Sequence, residues 1–150
     1  MSGIEVTVER PSKLGVTLAC ASVTMMFAAI TSAAIFRSGD TDWTRIPMPP
    51  ALWLNTLVLI VSSYAIQKLN RTWSILLGFV FLAGQGYVWM GLRASGISEA
   101  FFYVFTVAHA VHVVGGLFAM CFVRIESARI YWHFLTGLWM YLMLLFWIWR

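Results

Sequence analysis

The side chains of this 150-residue chain best suited to bind a haem or a metal ion are those of its three histidines. His109 and His112 lie three residues apart, a spacing that puts both on one face of a helix, and His133 follows in the next apolar stretch. Neutral imidazole ligates haem iron and transition metals. Histidines in apolar helices also form hydrogen bonds to neighbouring helices, to lipid or to partner groups, so depth and spacing must separate these interpretations.

The depths of the histidines disfavour a haem. At a rise of 1.5 Å per residue, His112 lies about 16 Å and His133 about 5 Å from the membrane edge at which their helices would meet. A haem held by two histidines needs ligands at nearly equal depth, which here would require strongly tilted helices. No cysteine or carboxylate lies near His109 and His112 at a spacing suited to a shared metal ion, so the sequence supports a metal site even less than a haem site. We therefore assign His109 and His112 to hydrogen bonds between helices.

The acidic residues and cysteines narrow the chemistry further. All six acidic residues lie outside or at the edge of the apolar stretches: Glu5, Glu9, Asp40, Asp42, Glu99 and Glu126. A proton-coupled transporter normally has an ionisable group, often a carboxylate, within the membrane, so this pattern disfavours transport. Cys20 and Cys121 lie alone in apolar stretches and are typical of small buried apolar side chains rather than of a redox pair.

The composition indicates an integral membrane protein. Hydrophobic residues make up 61% of the chain and charged residues 11%, whereas a soluble domain has about 45–50% and about 25%. The net charge of +4 does not indicate nucleic-acid binding, because the basic residues are scattered at the ends of apolar stretches, where membrane helices keep their charges. Seven of the eight tryptophans, all but Trp139, fall near the ends of these stretches or in the first loop, as an aromatic belt would place them.

Five apolar stretches are long enough to cross a hydrocarbon core of about 30 Å, which needs about 20 residues. They are 14–36, 51–69, 72–92, 100–123 and 130–149. We predict an all-α fold, an integral membrane bundle of five transmembrane helices over residues 13–150, after a polar N-terminal tail over 1–12. A polar segment, Arg124 to Arg129, is predicted to form the last turn.

The basic residues predict the orientation. One side of the membrane would carry Arg10, Lys13, Lys68, Arg71, Arg124 and Arg129, and the other Arg37, Arg45, Arg93 and Arg150. Six against four places the N-terminus inside and the C-terminus outside.

Three stretches, in this order and spacing, resemble subunit III of the haem-copper respiratory oxidases, the cytochrome c oxidase subunit III family, in its short five-helix form. The first is PALWLNT at 50–56, which contains Asn55 and resembles the family's entry into an LWLNT-like helix. The second, FF…T-x-x-H-x-x-H-V at 101–113, contains His109 and His112, and the third, E-x4-YWHF…W at 126–139, contains His133. Gln85 and Trp89 are similar to the family's Q-x-x-E-W helix.

The chain departs from the family pattern at several positions. Val23 and Val88 stand where the family usually has glutamates, and Thr136 where an aspartate is common. Family glycines near the paired histidines are Val107 and Ala110 here. A role that depends on those carboxylates therefore does not transfer to this chain.

The resemblance implies a non-catalytic accessory subunit of a haem-copper terminal oxidase in aerobic respiration. Such a subunit packs on subunit I and reaches subunit II through the complex, binds membrane phospholipid, and supports sustained oxygen reduction and proton uptake. It implies a multi-pass protein of the bacterial inner (cytoplasmic) membrane, with haem and copper only in the partner subunits. We expect no catalytic, cofactor-binding or metal-binding residue in the chain and no nucleic-acid partner.

Nine residues are predicted to make structural, lipid or partner contacts: Asn55, Gln85, Trp89, His109, His112, Glu126, Tyr131, Trp132 and His133. Glu126 and His133, seven residues apart, share a helix face if the fifth helix starts early, and we predict that they hydrogen-bond each other or a lipid headgroup.

Three other functions stay open from the sequence. The chain would be an accessory subunit of a nitric oxide reductase if its partner lacks copper. It would be an independent membrane cytochrome b if the isolated chain carries haem. A small transporter is a third class, although the missing carboxylates disfavour it.

Overall fold

The structure, a computed structural model, describes residues 11–68, 70–92 and 96–150. These residues form five helices and no strand: α1 (Pro11–Arg37), α2 (Pro50–Gln67), α3 (Arg71–Gly91), α4 (Ile97–Phe122) and α5 (Ile125–Ile148). All five are long and apolar enough to cross a membrane, so the prediction of an all-α bundle of five such helices is confirmed. The inside–outside orientation stays a prediction, and Arg10 and Arg93, on which it partly depends, lie outside the described residues.

The predicted start of the fifth helix needs correction. Residues 1–10 of the predicted tail lie outside the described residues, α1 begins at Pro11, and the span within α1 that could cross a membrane is Lys13–Arg37. The predicted turn from Arg124 to Arg129 is wrong, because α5 begins at Ile125. Glu126 and Arg129 lie between the fourth and fifth apolar stretches, but both belong to α5. Glu126 lies in the first turn of α5, where a negative charge interacts favourably with the helix dipole.

Local sequence signals explain the other helix starts. Pro49 and Pro50 occupy the N-cap and first position of α2, where a missing N–H is harmless. The side-chain oxygen of Asn70 accepts a hydrogen bond from the backbone of Trp73 and caps α3. The backbone N–H of Gly96 donates to Glu99 Oε2 over 2.7 Å, which explains why α4 begins at Ile97, three residues earlier than the apolar stretch.

Contacts between turns and helix ends define the two ends of the bundle. One end, which we call the two-turn end, carries the short α2–α3 and α4–α5 turns. There Arg71 Nη2 at the start of α3 donates to the carbonyl of Val123 just after α4. At the opposite end, the C-terminal end, the backbone N–H of Ile46 in the α1–α2 loop donates to the carbonyl of Trp149 over 3.2 Å. Trp43 of the same loop contacts the Trp149 ring, with centroids 5.4 Å apart. Successive helices therefore run in opposite directions.

Helix α5 holds the bundle together, since it contacts α1, α2 and α4. α2 packs most extensively against α3, and α1 lies at the periphery against α4 and α5. Two tryptophans of α5, Trp132 and Trp139, are fully buried at 0% exposure. The belt interpretation is therefore wrong for Trp132, which lies inside the bundle although its sequence position is near a span end.

Two glycines make room for the Trp132 indole. A Cβ added to Gly78 of α3 would lie 2.9 Å from Trp132 Cη2 and 2.7 Å from Leu117 Cδ2. A Cβ added to Gly116 of α4 would lie 2.9 Å from Leu135 Cδ1 and 3.1 Å from Trp132 Cε3. Small residues at helix contacts let membrane helices approach closely, and here they form a slot for one indole ring.

The slot predicts that alanine lowers the stability of the chain at Gly116 but not at the adjacent Gly115. Gly116→Ala should destabilise the chain by about 1–3 kcal/mol, because the added methyl overpacks the Trp132 slot. Gly115→Ala is the matched control, because a Cβ at Gly115 meets nothing within 4 Å. Thermal unfolding of both variants in the same detergent checks this, and equal melting temperatures would contradict the slot.

Candidate functional site

The predicted site residues fall into two polar clusters at different heights in the bundle. The first, the middle layer, draws on four helices and consists of Asn55, Thr56, Gln85, Trp89, Thr106, His109 and Trp139. The second, the end cluster, lies toward the two-turn end and consists of Ser62, Ser63, Gln67, Ser74, Trp132 and His133. Both clusters connect helices that are distant in sequence.

Three side-chain hydrogen bonds join the helices of the middle layer. Asn55 Nδ2 of α2 donates to Gln85 Oε1 of α3 over 3.5 Å. Trp89 Nε1 of α3 donates to Thr106 Oγ1 of α4 over 3.0 Å. Trp139 Nε1 of α5 donates to Thr56 Oγ1 of α2, also over 3.0 Å. Each bond satisfies a polar group that the bilayer core could not solvate.

His109 lies in this layer as a packed ring. It is fully buried at 0% exposure, its ring centroid lies 5.0 Å from that of Trp139, and Phe81 meets it edge-on at 5.8 Å. Neither ring nitrogen has a hydrogen-bond partner among the described residues. The direct hydrogen bond predicted from His109 to a group on another helix is therefore absent among the described residues, and aromatic neighbours from α3 and α5 enclose the ring instead.

His112 points toward a different helix. Its ring meets Phe27 of α1 at a centroid distance of 5.9 Å, and Nδ1 pairs with the carbonyl of Ala108 over 2.6 Å. That carbonyl belongs to α4 itself, one turn earlier, so the predicted interhelical hydrogen bond is wrong for His112. Although three residues apart, His109 and His112 contact different helices. Among the described residues, no three His, Cys, Asp or Glu side chains form a group that could hold a metal ion.

The end cluster ties α2 to both α3 and α5. Ser62 Oγ donates to the carbonyl of Ser74 over 3.0 Å, and Ser74 Oγ donates to the carbonyl of Ser62 over 2.8 Å. Trp132 Nε1 of α5 donates to Ser62 Oγ over 3.1 Å. Both serines are fully buried. This pair of reciprocal bonds explains the close contact of α2 with α3.

His133 completes the end cluster. Its Nε2 lies 2.9 Å from Gln67 Oε1, and its Nδ1 lies 2.5 Å from Ser63 Oγ. Because Gln67 Oε1 can only accept, Nε2 carries the proton of the neutral ring and Nδ1 accepts from the Ser63 hydroxyl.

These partners correct the predicted bond between Glu126 and His133. The early start of α5 on which that prediction depended is present, but both ring nitrogens of His133 face α2 partners. Glu126 is exposed at the beginning of α5. The ring is drawn inward by polar groups of α2, which lie closer to it than a residue two turns away on its own helix.

The Ser63–His133 contact has the form of a nucleophile beside a base, as in covalent hydrolases. In those enzymes a carboxylate commonly orients the histidine and stabilises its protonated form. Here the second partner is the neutral amide of Gln67. The arrangement therefore favours a helix-to-helix link over catalysis.

Tyr131 lies outside both clusters. It is half-buried, contacts the Phe134 ring at 6.3 Å, and lines a groove between α1, α4 and α5 at the two-turn end. Ser127 of α5 and Gly15 of α1 also line this groove.

The sequence interpretation missed Gln67 and Ser74 as members of the end cluster. Gln67 is the last residue of α2 and Ser74 lies in the first turn of α3, so both stand next to a polar turn and look like ordinary span ends. The pair Ser62–Ser63 inside an apolar stretch was a usable signal, because serine side chains in membrane helices can form hydrogen bonds to neighbouring helices.

Known proteins resemble this chain over most of its length. A protein of Nocardia farcinica named probable cytochrome c oxidase subunit 3 is 27% identical over an alignment of 175 positions, which covers 89% of this chain and 86% of that protein. The cytochrome c oxidase subunit 3 of Synechocystis is 28% identical, covering 87% of this chain and 72% of its own. The chain thus has several homologues that are named cytochrome c oxidase subunit 3.

A third relative extends the same pattern. A protein of Mycobacterium tuberculosis named probable cytochrome c oxidase subunit 3 is 29% identical, covering 89% of this chain and 86% of its own. No family model matches the chain. The resemblance inferred from the three sequence motifs is nevertheless confirmed by these relatives. The middle layer is built largely from the residues of those motifs, and the end cluster takes Trp132 and His133 from the third.

Proposed function

We propose that the chain is a non-catalytic accessory subunit of a haem-copper terminal oxidase in aerobic respiration. The observation that carries this proposal is the similarity to proteins named cytochrome c oxidase subunit 3 over nearly nine tenths of the chain. In this role the chain packs on subunit I, reaches subunit II through the complex, and resides in the bacterial inner membrane. It supports sustained oxygen reduction and proton uptake by the catalytic subunit.

The use of the motif residues supports a structural role. Trp132, Gln85 and Trp89 all form hydrogen bonds to neighbouring helices. His133 of the YWHF motif connects α5 to α2 through both ring nitrogens. These side chains stabilise the bundle, which is what a subunit without its own reaction requires.

The two positions that lack the family's glutamates support the same role. Val23 and Val88 are both buried, at 8% and 3% exposure, and both belong to the apolar core. An apolar side chain at these depths neither takes up nor releases a proton. We therefore propose that proton uptake in the complex is carried by its other subunits and that this chain supports it by packing.

Haem and copper belong to the partner subunits in this proposal. The ring nitrogens of His133 are occupied by Ser63 and Gln67. The His109 ring is enclosed by Phe81 and Trp139. These surroundings favour packing over ligation for His109 and His133.

A phospholipid site is the second part of the proposal. The groove between α1, α4 and α5 is lined by small residues, including Gly15, Ala19 and Ala119, and opens at the two-turn end next to Val123. Arg124 follows Val123 directly and is exposed. We propose that one acyl chain lies in this groove and that the phosphate of an anionic phospholipid pairs with Arg124, because guanidinium forms strong charge-assisted bonds to phosphate.

Gentle purification of the tagged chain tests the oxidase proposal. We expect a large haem-copper subunit and a copper-bearing subunit to co-purify, with haem absorption in the assembled complex. A coloured chain that purifies alone would contradict the proposal and support a membrane cytochrome b. A partner without copper would support a nitric oxide reductase, and a colourless chain alone that drives uptake into liposomes would support transport.

The lipid site predicts a change in bound phospholipid. Arg124→Gln should reduce the amount of anionic phospholipid that co-purifies with the chain, measured by mass spectrometry of the extracted lipids, because the phosphate loses its charged partner. Arg45→Gln is the matched control, since Arg45 is an exposed arginine in the α1–α2 loop. Equal lipid content in both variants would place the lipid elsewhere without affecting the oxidase proposal.

A further inference from the structure

The middle layer contains polar atoms that its own hydrogen bonds do not satisfy. Gln85 Nε2 and both ring nitrogens of His109 are buried and have no hydrogen-bond partner among the described residues. The two side chains are 1% and 0% exposed. Buried polar atoms in folded proteins are nearly always paired with protein or with ordered water, so these atoms indicate a further ligand in the layer.

The two side chains lie at the same height between α3 and α4. The Phe81 ring of α3 contacts the His109 ring of α4. Trp89, two turns after Phe81 on α3, donates a hydrogen bond to Thr106, which lies one turn before His109 on α4. Gln85 lies midway between Phe81 and Trp89, so these two contacts place it beside the turn of α4 that runs from Thr106 to His109. Asn55 pairs with Gln85 Oε1, which leaves Nε2 as the free end of the amide.

The neighbouring polar groups are already used. Thr106 Oγ1 accepts from Trp89 and donates to the carbonyl of Phe102 over 2.8 Å. Trp139 donates its only N–H to Thr56. The partner of Gln85 and His109 must therefore be a small group that accepts from the amide and fits between helices in close contact.

Water meets these requirements whichever proton His109 carries. A water molecule accepts from the Gln85 N–H, donates to an unprotonated ring nitrogen and accepts from a protonated one. Buried waters typically make about three hydrogen bonds to otherwise unsatisfied groups. We propose that the middle layer binds one buried water molecule, which bridges Gln85 Nε2 and a ring nitrogen of His109 and so links α3 to α4.

This inference is independent of the proposed function, because it depends only on the interior of the bundle. The ligand is a structural water enclosed by Phe81, Trp139 and the α3–α4 contact, about 18 Å along α4 from its first residue at 1.5 Å per residue. Helix α4 would then be joined to α3 twice in succession, directly through Trp89 and Thr106 and by water through Gln85 and His109.

A high-resolution density map tests the site directly. The chain is purified from its own membrane with the subunits that accompany it, and its structure is determined by electron cryomicroscopy at about 2 Å. We expect one peak within about 3.2 Å of both the Gln85 amide nitrogen and a His109 ring nitrogen. The absence of a peak, or a peak in contact with only one of the two side chains, would overturn the proposal.

Replacing the two polar groups gives a second, independent test. Gln85→Met and His109→Phe remove polar atoms while keeping similar volume. If water bridges the pair, each single variant leaves the other group without its partner and lowers Tm by about 2–4 °C, and the double variant recovers part of that loss. Gln85→Met also removes the Oε1 acceptor of Asn55 and therefore lowers Tm with or without a bridge. If both groups are simply unpartnered, His109→Phe raises Tm and its effect adds to that of Gln85→Met without coupling, which would overturn the bridge.

His112→Phe is the matched histidine control. Its ring contacts α1 and its Nδ1 bonds within α4, so its effect on Tm should add to that of Gln85→Met without coupling. Coupling between Gln85 and His112 as strong as that between Gln85 and His109 would overturn the assignment of the bridge to His109.

Discussion

The packing of one indole, that of Trp132, is the interaction on which the rest of the bundle depends. Lipid tails are as apolar as the helix surfaces, so close packing and internal hydrogen bonds, rather than the hydrophobic effect, hold membrane helices together. Trp132 contributes both. Its ring fills the slot beside Gly78 and Gly116, and its N–H bonds to Ser62. One side chain of α5 thus contacts α2, α3 and α4 together.

The two polar clusters extend this arrangement along the bundle. At the end cluster, Ser62 and Ser74 join α2 to α3, and His133 joins α5 to α2. In the middle layer, Trp139 repeats the role of Trp132 by donating to Thr56 two turns further along α5. The side-chain bonds of these two clusters therefore serve the association of the helices within the chain.

The sequence predicted the parts of the structure that depend on length and composition. The five helices follow from five apolar stretches. The resemblance to cytochrome c oxidase subunit III was found from the order of three motifs, which can be read without a structure. The start of α5 was missed because Glu126 and Arg129 are charged and therefore fall outside the fifth apolar stretch, although both lie within the helix. The partners of His109 and His112 were missed because they depend on how each helix is rotated against its neighbours, and spacing along one helix does not determine that rotation.

Oxygen consumption by the oxidase with and without this chain tests the central claim most directly. The complex is purified from cells that make the chain and from cells in which its gene is deleted, and both preparations are compared by haem spectrum and by oxygen uptake through many turnovers. Our account predicts the same haem spectrum and a similar initial rate per haem, with an earlier loss of activity where the chain is missing. Loss of a haem band, or no oxygen reduction from the first turnover in an assembled complex without the chain, would contradict a non-catalytic role.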